Sequence, residues 1–151
     1  MADHLREQIM SALVTDLTGL TTTGSNIARG RVYSLDDSQL PYLSIYQMED
    51  VVVTPDGADE ATNIYMWNAL SFVVKISVDA STGILDTQIN QICKEVVIAL
   101  MSDVTLGGIC SNIIEISTGP VEFSSNREKR TAIVDMNFNV LYRRLRTDPS
   151  Q

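Results

Sequence analysis

The amino-acid sequence predicts an α+β domain: a mostly antiparallel sheet with two helices packed on one face, in the order α-β-β-β-α-β-β. Three observations predict it. Residues 3–18 and 83–102 repeat apolar side chains at three- and four-residue steps, as a helix with one apolar stripe does. Residues 63–79 and 131–145 alternate apolar and polar side chains with period two, as a strand with one buried face does. Short turn segments, not long linkers, separate these blocks. An antiparallel sheet with both helices on one side buries all four apolar faces at once. The 151 residues amount to one domain, long enough to bury a core without disulfides. With no internal repeat and no linker, a single domain over 1–151 is expected, with 146–151 as a frayed tail.

The elements follow in order. In the first helix Leu5, Ile9, Leu13 and Leu17 stand four apart, Ala12 fills the same face, and Gly19 is placed to end it. A loop rich in threonine follows, then a short strand at 31–34, and Asp36, Asp37 and Ser38 turn the chain. Residues 42–53 read as a strand, with Leu43 and Ile45 facing one way and Tyr42, Ser44 and Tyr46 the other. Pro55 and Asp56-Gly57 make the next segment a turn. In 63–79 one parity carries Ile64, Met66, Leu70, Phe72, Val74, Ile76 and Val78, with Asn68 its one polar break. This strand is much longer than the usual five or six residues or so, so it is expected to bend, bulge or extend past its own domain.

The second helix carries a stripe of Leu85, Ile89, Ile92, Cys93, Val96 and Leu100, with Ser81 or Thr82 as its cap. Gly107-Gly108 forms a turn. Residues 112–118 are a short strand with Ile114 and Ile116 on one side, broken by Gly119-Pro120. Residues 122–130 read as a polar loop. The last strand, 131–145, puts Ala132, Val134, Met136, Phe138, Val140 and Tyr142 on one face.

Chemical equipment is sparse. His4, the single histidine, reads as a solvated terminal residue, so a triad or a His-based metal site would rest on it alone. Cys93 and Cys110 do not form a C-x-x-C pair and read as buried free thiols of a reducing cytoplasm. No phosphate-binding glycine pattern is present. Asp3, Arg6, Glu7 and Asp16 interrupt any signal-peptide core, and no stretch has the length of a membrane span. No cofactor, no metal and no enzymatic activity are expected.

Charge is more informative. The chain carries −8, which argues against a general nucleic-acid binder or a membrane-surface protein. Residues 127–146 hold six basic groups (Arg127, Lys129, Arg130, Arg143, Arg144 and Arg146) against Glu128 and Asp135, a net +4 that leaves −12 elsewhere. Glu49, Asp50, Asp56, Asp59 and Glu60 gather at the end of one strand and the following loop. That stretch reads as a solvated loop, as a surface that touches a partner or, with carboxylates as ligands, as a divalent-cation site, although it lacks EF-hand spacing. The basic segment reads as a solvated strand or as a face meeting an acidic face of another subunit. Tyr65 and Trp67 add aromatics of the kind enriched at interfaces.

The whole pattern resembles the small tail terminator, or tail completion, proteins of long-tailed bacteriophages, the group typified by the minor tail protein U of lambda-like phages. The resemblance covers nearly the full chain and rests on order. An N-terminal amphipathic helix precedes Arg31-Val32-Tyr33, then comes Leu40-Pro41-Tyr42-Leu43-Ser44-Ile45-Tyr46, then the long strand 67–78. A helix ends in Ala99-Leu100-Met101-Ser102-Asp103, the turn continues through Val104-Thr105-Leu106-Gly107-Gly108, and the last strand closes on Phe138-Asn139-Val140-Leu141-Tyr142-Arg143.

The resemblance implies structural work in the virion, at the head-proximal end of the tail, after assembly in the host cytoplasm. Such proteins form rings of six that cap the tail tube, stop its growth and offer a surface for head joining. The implied partners are other copies of the chain, the tail tube protein and a head-completion or connector protein, with DNA passing through the channel unbound and no membrane involved. On this reading the acidic stretch 49–60 and the basic segment 127–146 are two sides of a subunit contact, and the two long strands pair across subunits. A neighbouring neck or head–tail connector protein is the alternative, and a small metal- or ligand-binding domain using 49–60 a further one.

Overall fold

The computed structural model describes residues 2–30, 39–53, 65–80, 85–126 and 129–151. The four-residue spacing of Leu5, Ile9, Leu13 and Leu17 becomes helix α1 (Leu5–Leu17), whose buried stripe also takes in Met10. His4 is the N-cap of this helix and no bystander: its Nδ1 accepts from the Arg6 N–H at 3.0 Å. Burial, and then the Arg6 charge, hold the imidazole below its ordinary pKa, which keeps Nδ1 free to accept. Past the C-cap Thr18, Gly19 takes φ +87, a conformation glycine adopts without penalty.

The remaining elements are β1 (Ile27–Arg29), β2 (Tyr42–Val53), β3 (Tyr65–Asp79), α2 (Leu85–Ser102), β4 (Asn112–Thr118), β5 (Glu122–Asn126) and β6 (Lys129–Leu145). The expected fold class holds: two helices and one six-stranded, mostly antiparallel sheet. The expected strand at 31–34 lies outside the described residues, as do the turn at Asp36–Ser38, the Ser81 or Thr82 cap of α2 and the loop after β2. Two details differ. The first strand seen is β1, parallel to β2 through Ile27↔Leu43, and three residues are too few to show a period. The stretch 122–130 is not a polar loop. Its first part is β5, paired to β6 from Glu122↔Ile133 to Asn126↔Lys129. Main-chain pairing to β6 places β5, and its five residues are too few for hydrophobic periodicity to mark it.

The sheet order is β1-β2-β3-β6-β4, with β5 on the same side of β6 as β4. The two long strands are each other's partners over their whole length, from Tyr65↔Leu145 to Asp79↔Thr131. Each also has a second neighbour: β2 for β3, and β4 then β5 for β6. Most of their length is therefore used inside the subunit, while Tyr142–Arg144 of β6 pair with β3 alone among the described strands.

One face of the sheet and both helices share one core. Leu43, Ile45, Leu70, Phe72, Val74, Ile76, Val134, Met136, Phe138 and Val140 meet α1 and the α2 stripe Ile89, Ile92, Val96 and Leu100. At its centre Phe72 and Phe138 stack with ring centroids 5.2 Å apart and planes 12° apart. Glu95 of α2 clamps the turn after α1, accepting from the Thr22 N–H at 3.0 Å and from its hydroxyl at 2.5 Å.

Residues 146–151 are not frayed. The Leu5 N–H donates to the Pro149 carbonyl at 2.9 Å, Gln8 Nε2 donates to the Ser150 carbonyl at 3.2 Å, and Asp148 closes the turn by accepting from Ser150 N at 3.0 Å. The first N–H groups of a helix have no intrahelical partner, and the tail supplies one. Deleting 147–151 is expected to cost about 1–2 kcal/mol, the range of a lost cap, in urea unfolding. A truncated chain as stable as the parent would show that the tail is ornamental.

Cys93 and Cys110 are both free, the first half-buried and the second buried. Burial, with Asp103 nearby, pushes the Cys110 thiol up to about 11, and burial raises Cys93 as well. At pH 8 native Cys110 should react with a thiol reagent about 100-fold more slowly than the same thiol in denaturant, since the thiolate is the nucleophile. Equal rates in the two states would contradict this placement.

Candidate assembly surfaces

A one-residue irregularity in β2 shapes the first surface. Ile45 pairs with Val74 and Gln47 with Phe72, but Asp50 pairs with Leu70, so one extra residue is accommodated between Gln47 and Asp50. A bulge of this kind inverts which side chains face inward. Before it Leu43 and Ile45 face the helices; after it Asp50 does.

Asp50 thereby enters a polar cluster under the start of α1. Its Oδ2 accepts from the Tyr142 hydroxyl at 2.6 Å and lies 3.4 Å from Arg6 Nε, and its Oδ1 accepts from Asn68 Nδ2 at 3.1 Å. Only 10% of the Asp50 side chain is exposed. Burial, and then the bond to Asp50, raise the Tyr142 pKa. This also explains Asn68, the polar break in an apolar parity: it faces a carboxylate, not hydrocarbon.

The cluster marks the end of the core. Beyond it no residue of 51–53, 65–67 or 143–145 is buried. The ends of β2, β3 and β6 thus form a three-stranded arm. Val51, Val52 and Val53 are each more than 40% exposed on it, and Tyr65 and Trp67 are half-buried. The Arg143 guanidinium lies 4.1 Å from the centre of the Tyr65 ring, within cation–π range.

The second surface is the opposite edge of the sheet. Both β4 and β5 run antiparallel to β6, so they run in the same sense and form one broken edge. Gly119 N–H donates to the Asp135 carbonyl at 2.8 Å and carries the ladder across the break. Ile113 turns into the core, while Ile114, Ile116, Val121 and Phe123 are 38%, 54%, 37% and 58% exposed. The shared side expected for Ile114 and Ile116 is thus a solvent-facing one. Sequence reasoning missed this edge. Its signal was three isoleucines on both parities of a short strand, more apolar surface than one buried face can take.

Between the two surfaces, the helix-free face of the sheet holds a shallow depression of about 490 Å³ lined by Met48, Ser71, Val73, Ile116, Asn137 and Asn139, among others. Ser71 donates to Asn139 at 2.9 Å and Asn137 to Ser117 at 3.1 Å, which ties its floor together.

The predicted site residues are thus sorted. Glu49 is exposed at the base of the arm, whereas Asp50 is an internal partner, removed from any contact surface by the bulge. Tyr65, Trp67, Arg143 and Arg144 belong to the arm, and Arg146 follows it. Arg130 lies at the far end of β6, 5.9 Å from the Phe123 ring centre. Arg127, Asp56, Asp59 and Glu60 lie outside the described residues, and Lys129 is placed only as the first residue of β6. One expectation is corrected by this. The basic segment is no single face, because β6 separates Arg130 from Arg143 by roughly 40 Å at about 3.3 Å per residue. Of the acidic stretch 49–60, only Glu49 to Val53 lie among the described residues, on β2. Among the described residues no cluster of three metal-ligating side chains occurs, and no helix is long and apolar enough to cross a membrane.

No family model and no curated protein matches the chain. Solved structures similar in shape include the following two. One, whose name carries no functional term, has a TM-score of 0.47 and 16% identity, covering 89% of this chain and 94% of its own. The other comes from the virion of a native gene transfer agent particle, with a TM-score of 0.37 and 12% identity, covering 93% and 92%. Likenesses of this size do not carry a function across.

Proposed function

We propose that the chain is a structural protein of a phage-type virion, and specifically a subunit of a ring that caps the head-proximal end of a tail tube, ends its polymerisation and presents a surface for head joining. One observation supports the assembly reading above all. Among the described residues, a single continuous sheet leaves two unlike apolar surfaces exposed at different borders: the arm with Val51–Val53, and the β4–β5 edge with Ile114, Ile116 and Phe123. A protomer with two different sticky surfaces associates head to tail, and such a contact closes into a ring when its rotation allows. The order of elements shared with tail terminators supports the position in the tail.

Light scattering of the purified chain, alone and with headless tail tubes, tests the proposal. The expected result is a closed particle of six copies and tubes capped at one end in micrographs. A chain that stays monomeric at high concentration and leaves tube ends bare would refute it.

A further inference from the structure

We propose that His4 is the acid-sensitive pin of a latch that holds the C-terminal tail against the start of α1, and that the latch opens when the imidazole takes up a proton. The device lies within one subunit and is independent of the ring reading.

The first N–H groups of a helix need partners from outside its ladder. In α1 the tail supplies one, as Leu5 N–H donates to the Pro149 carbonyl at 2.9 Å. His4 supplies two more. Its Nδ1 accepts from Arg6 N–H at 3.0 Å, and its carbonyl accepts from Glu7 N–H at 2.8 Å. Tail and imidazole thus serve adjacent residues of one turn. Gln8 joins them further: its Nε2 donates to the Asp3 carbonyl at 2.7 Å and to the Ser150 carbonyl at 3.2 Å. The docked tail needs this turn in place, because Leu5 and Gln8, which hold it, belong to that turn.

Protonation attacks the turn in two ways. An imidazolium carries a proton on each nitrogen, so Nδ1 can no longer accept from Arg6. It also sets a cation at the positive end of the helix dipole. The surroundings oppose that charge. Burial first, then Arg6 on its own helix and Arg144 on β6, hold the imidazole below its ordinary 6.5, while Asp50 on β2 pulls the other way. Asp50 already accepts from Tyr142 and lies 3.4 Å from Arg6. In the tail, Asp148 is turned to Ser150 and Gln151. A histidine whose pKa is lowered by folding contributes stability above its unfolded pKa and loses it as pH falls through the folded one. The latch is therefore shut at neutral pH and opens on acidification.

The full chain tests this directly. His4 is the single histidine, so its imidazole proton resonance follows its titration without assignment. Amide exchange, corrected for the intrinsic effect of pH, is compared at about pH 7.5 and about pH 5 in the parent and in His4→Asn, which keeps a good N-cap that does not titrate. At the lower pH the parent should lose about fivefold in protection at Leu5 and Arg6 and at Ser150 and Gln151 of the tail, the size of one lost cap, in step with the imidazole resonance. His4→Asn should show no such loss, and β3 amides should keep their protection in both chains. Equal protection of the parent at both pH values, an equal loss in His4→Asn, a first turn that loosens while the tail stays protected, or a loss that runs through β3 as well would each overturn the latch.

Discussion

Replacing Phe72 with alanine is expected to lower stability by about 3–5 kcal/mol, the usual cost of removing a buried aromatic ring. Phe72 is 1% exposed at the middle of β3, paired across the ladder with Phe138, and the two rings stack at 5.2 Å. The loss has two parts. The ring's own burial disappears, and Phe138 is left beside a void that Val74, Leu70 and the helices can fill only in part. Aromatic pairing adds about 0.5–1.5 kcal/mol beyond buried area. Against a total stability of about 5–15 kcal/mol for a typical domain, this is a large share. Urea unfolding measures it. A loss below about 1 kcal/mol would mean that the core closes over the site and that the stack is not central. Phe72→Leu keeps most of the volume and should cost visibly less.

Replacing Asp50 with alanine is expected to cost about 3 kcal/mol, although the change removes a surface-strand carboxylate by sequence appearance. Three donors lose their acceptor together: the Tyr142 hydroxyl, Asn68 Nδ2 and the nearby Arg6. A buried donor left unpaired costs about 1–3 kcal/mol, and more where charge is involved. Tyr142 is fully buried, so water cannot take the place of the carboxylate without opening the core. The coupling is measurable. Tyr142→Phe should cost clearly less in the Asp50→Ala background than in the parent, because the bond it removes is already gone. Strict additivity would show that the cluster does not act as a unit.

Alkaline pH acts on the same region with a definite sign. The Tyr142 pKa is raised in the folded chain, first by burial and then by Asp50. A group whose neutral form is favoured by folding contributes stability below its unfolded pKa and loses it as pH rises beyond. Cys110 behaves alike, between its ordinary 9.0 and about 11. Thermal stability should therefore decline as pH rises above about 9. In Tyr142→Phe the decline should be shallower. An unchanged slope in that variant would exclude the tyrosine as a source.

Much of this architecture is legible in the residues. The four-step spacing in α1, the stripe of α2 and the alternation in β3 and β6 are local patterns set by the need to bury one face, and each element forms within a few residues of its pattern. The candidate site was less legible, because the residues that stand out for their charge are not the ones that define the surfaces. Asp50 looks like one acid in a run of five, yet the bulge before it turns it inward. No residue type between Gln47 and Asp50 announces that bulge; it is set by how β2 must match β3. Ile114, Ile116 and Phe123 look like core, yet they sit on the last strands of the sheet with nothing described beyond them.

The sequence by itself determined the fold class, the two helices, the two long strands and which parity of each is buried, since periodicity is a property of one segment against one apolar layer. Only the tertiary structure decided that the two long strands pair with each other, that 122–126 becomes a strand, that the C-terminal tail caps α1, and where the apolar surface is left open. Those outcomes depend on which segment becomes whose neighbour. That is settled by the competition among all possible pairings for the same main-chain donors, acceptors and buried area, and no single stretch of chain records its result.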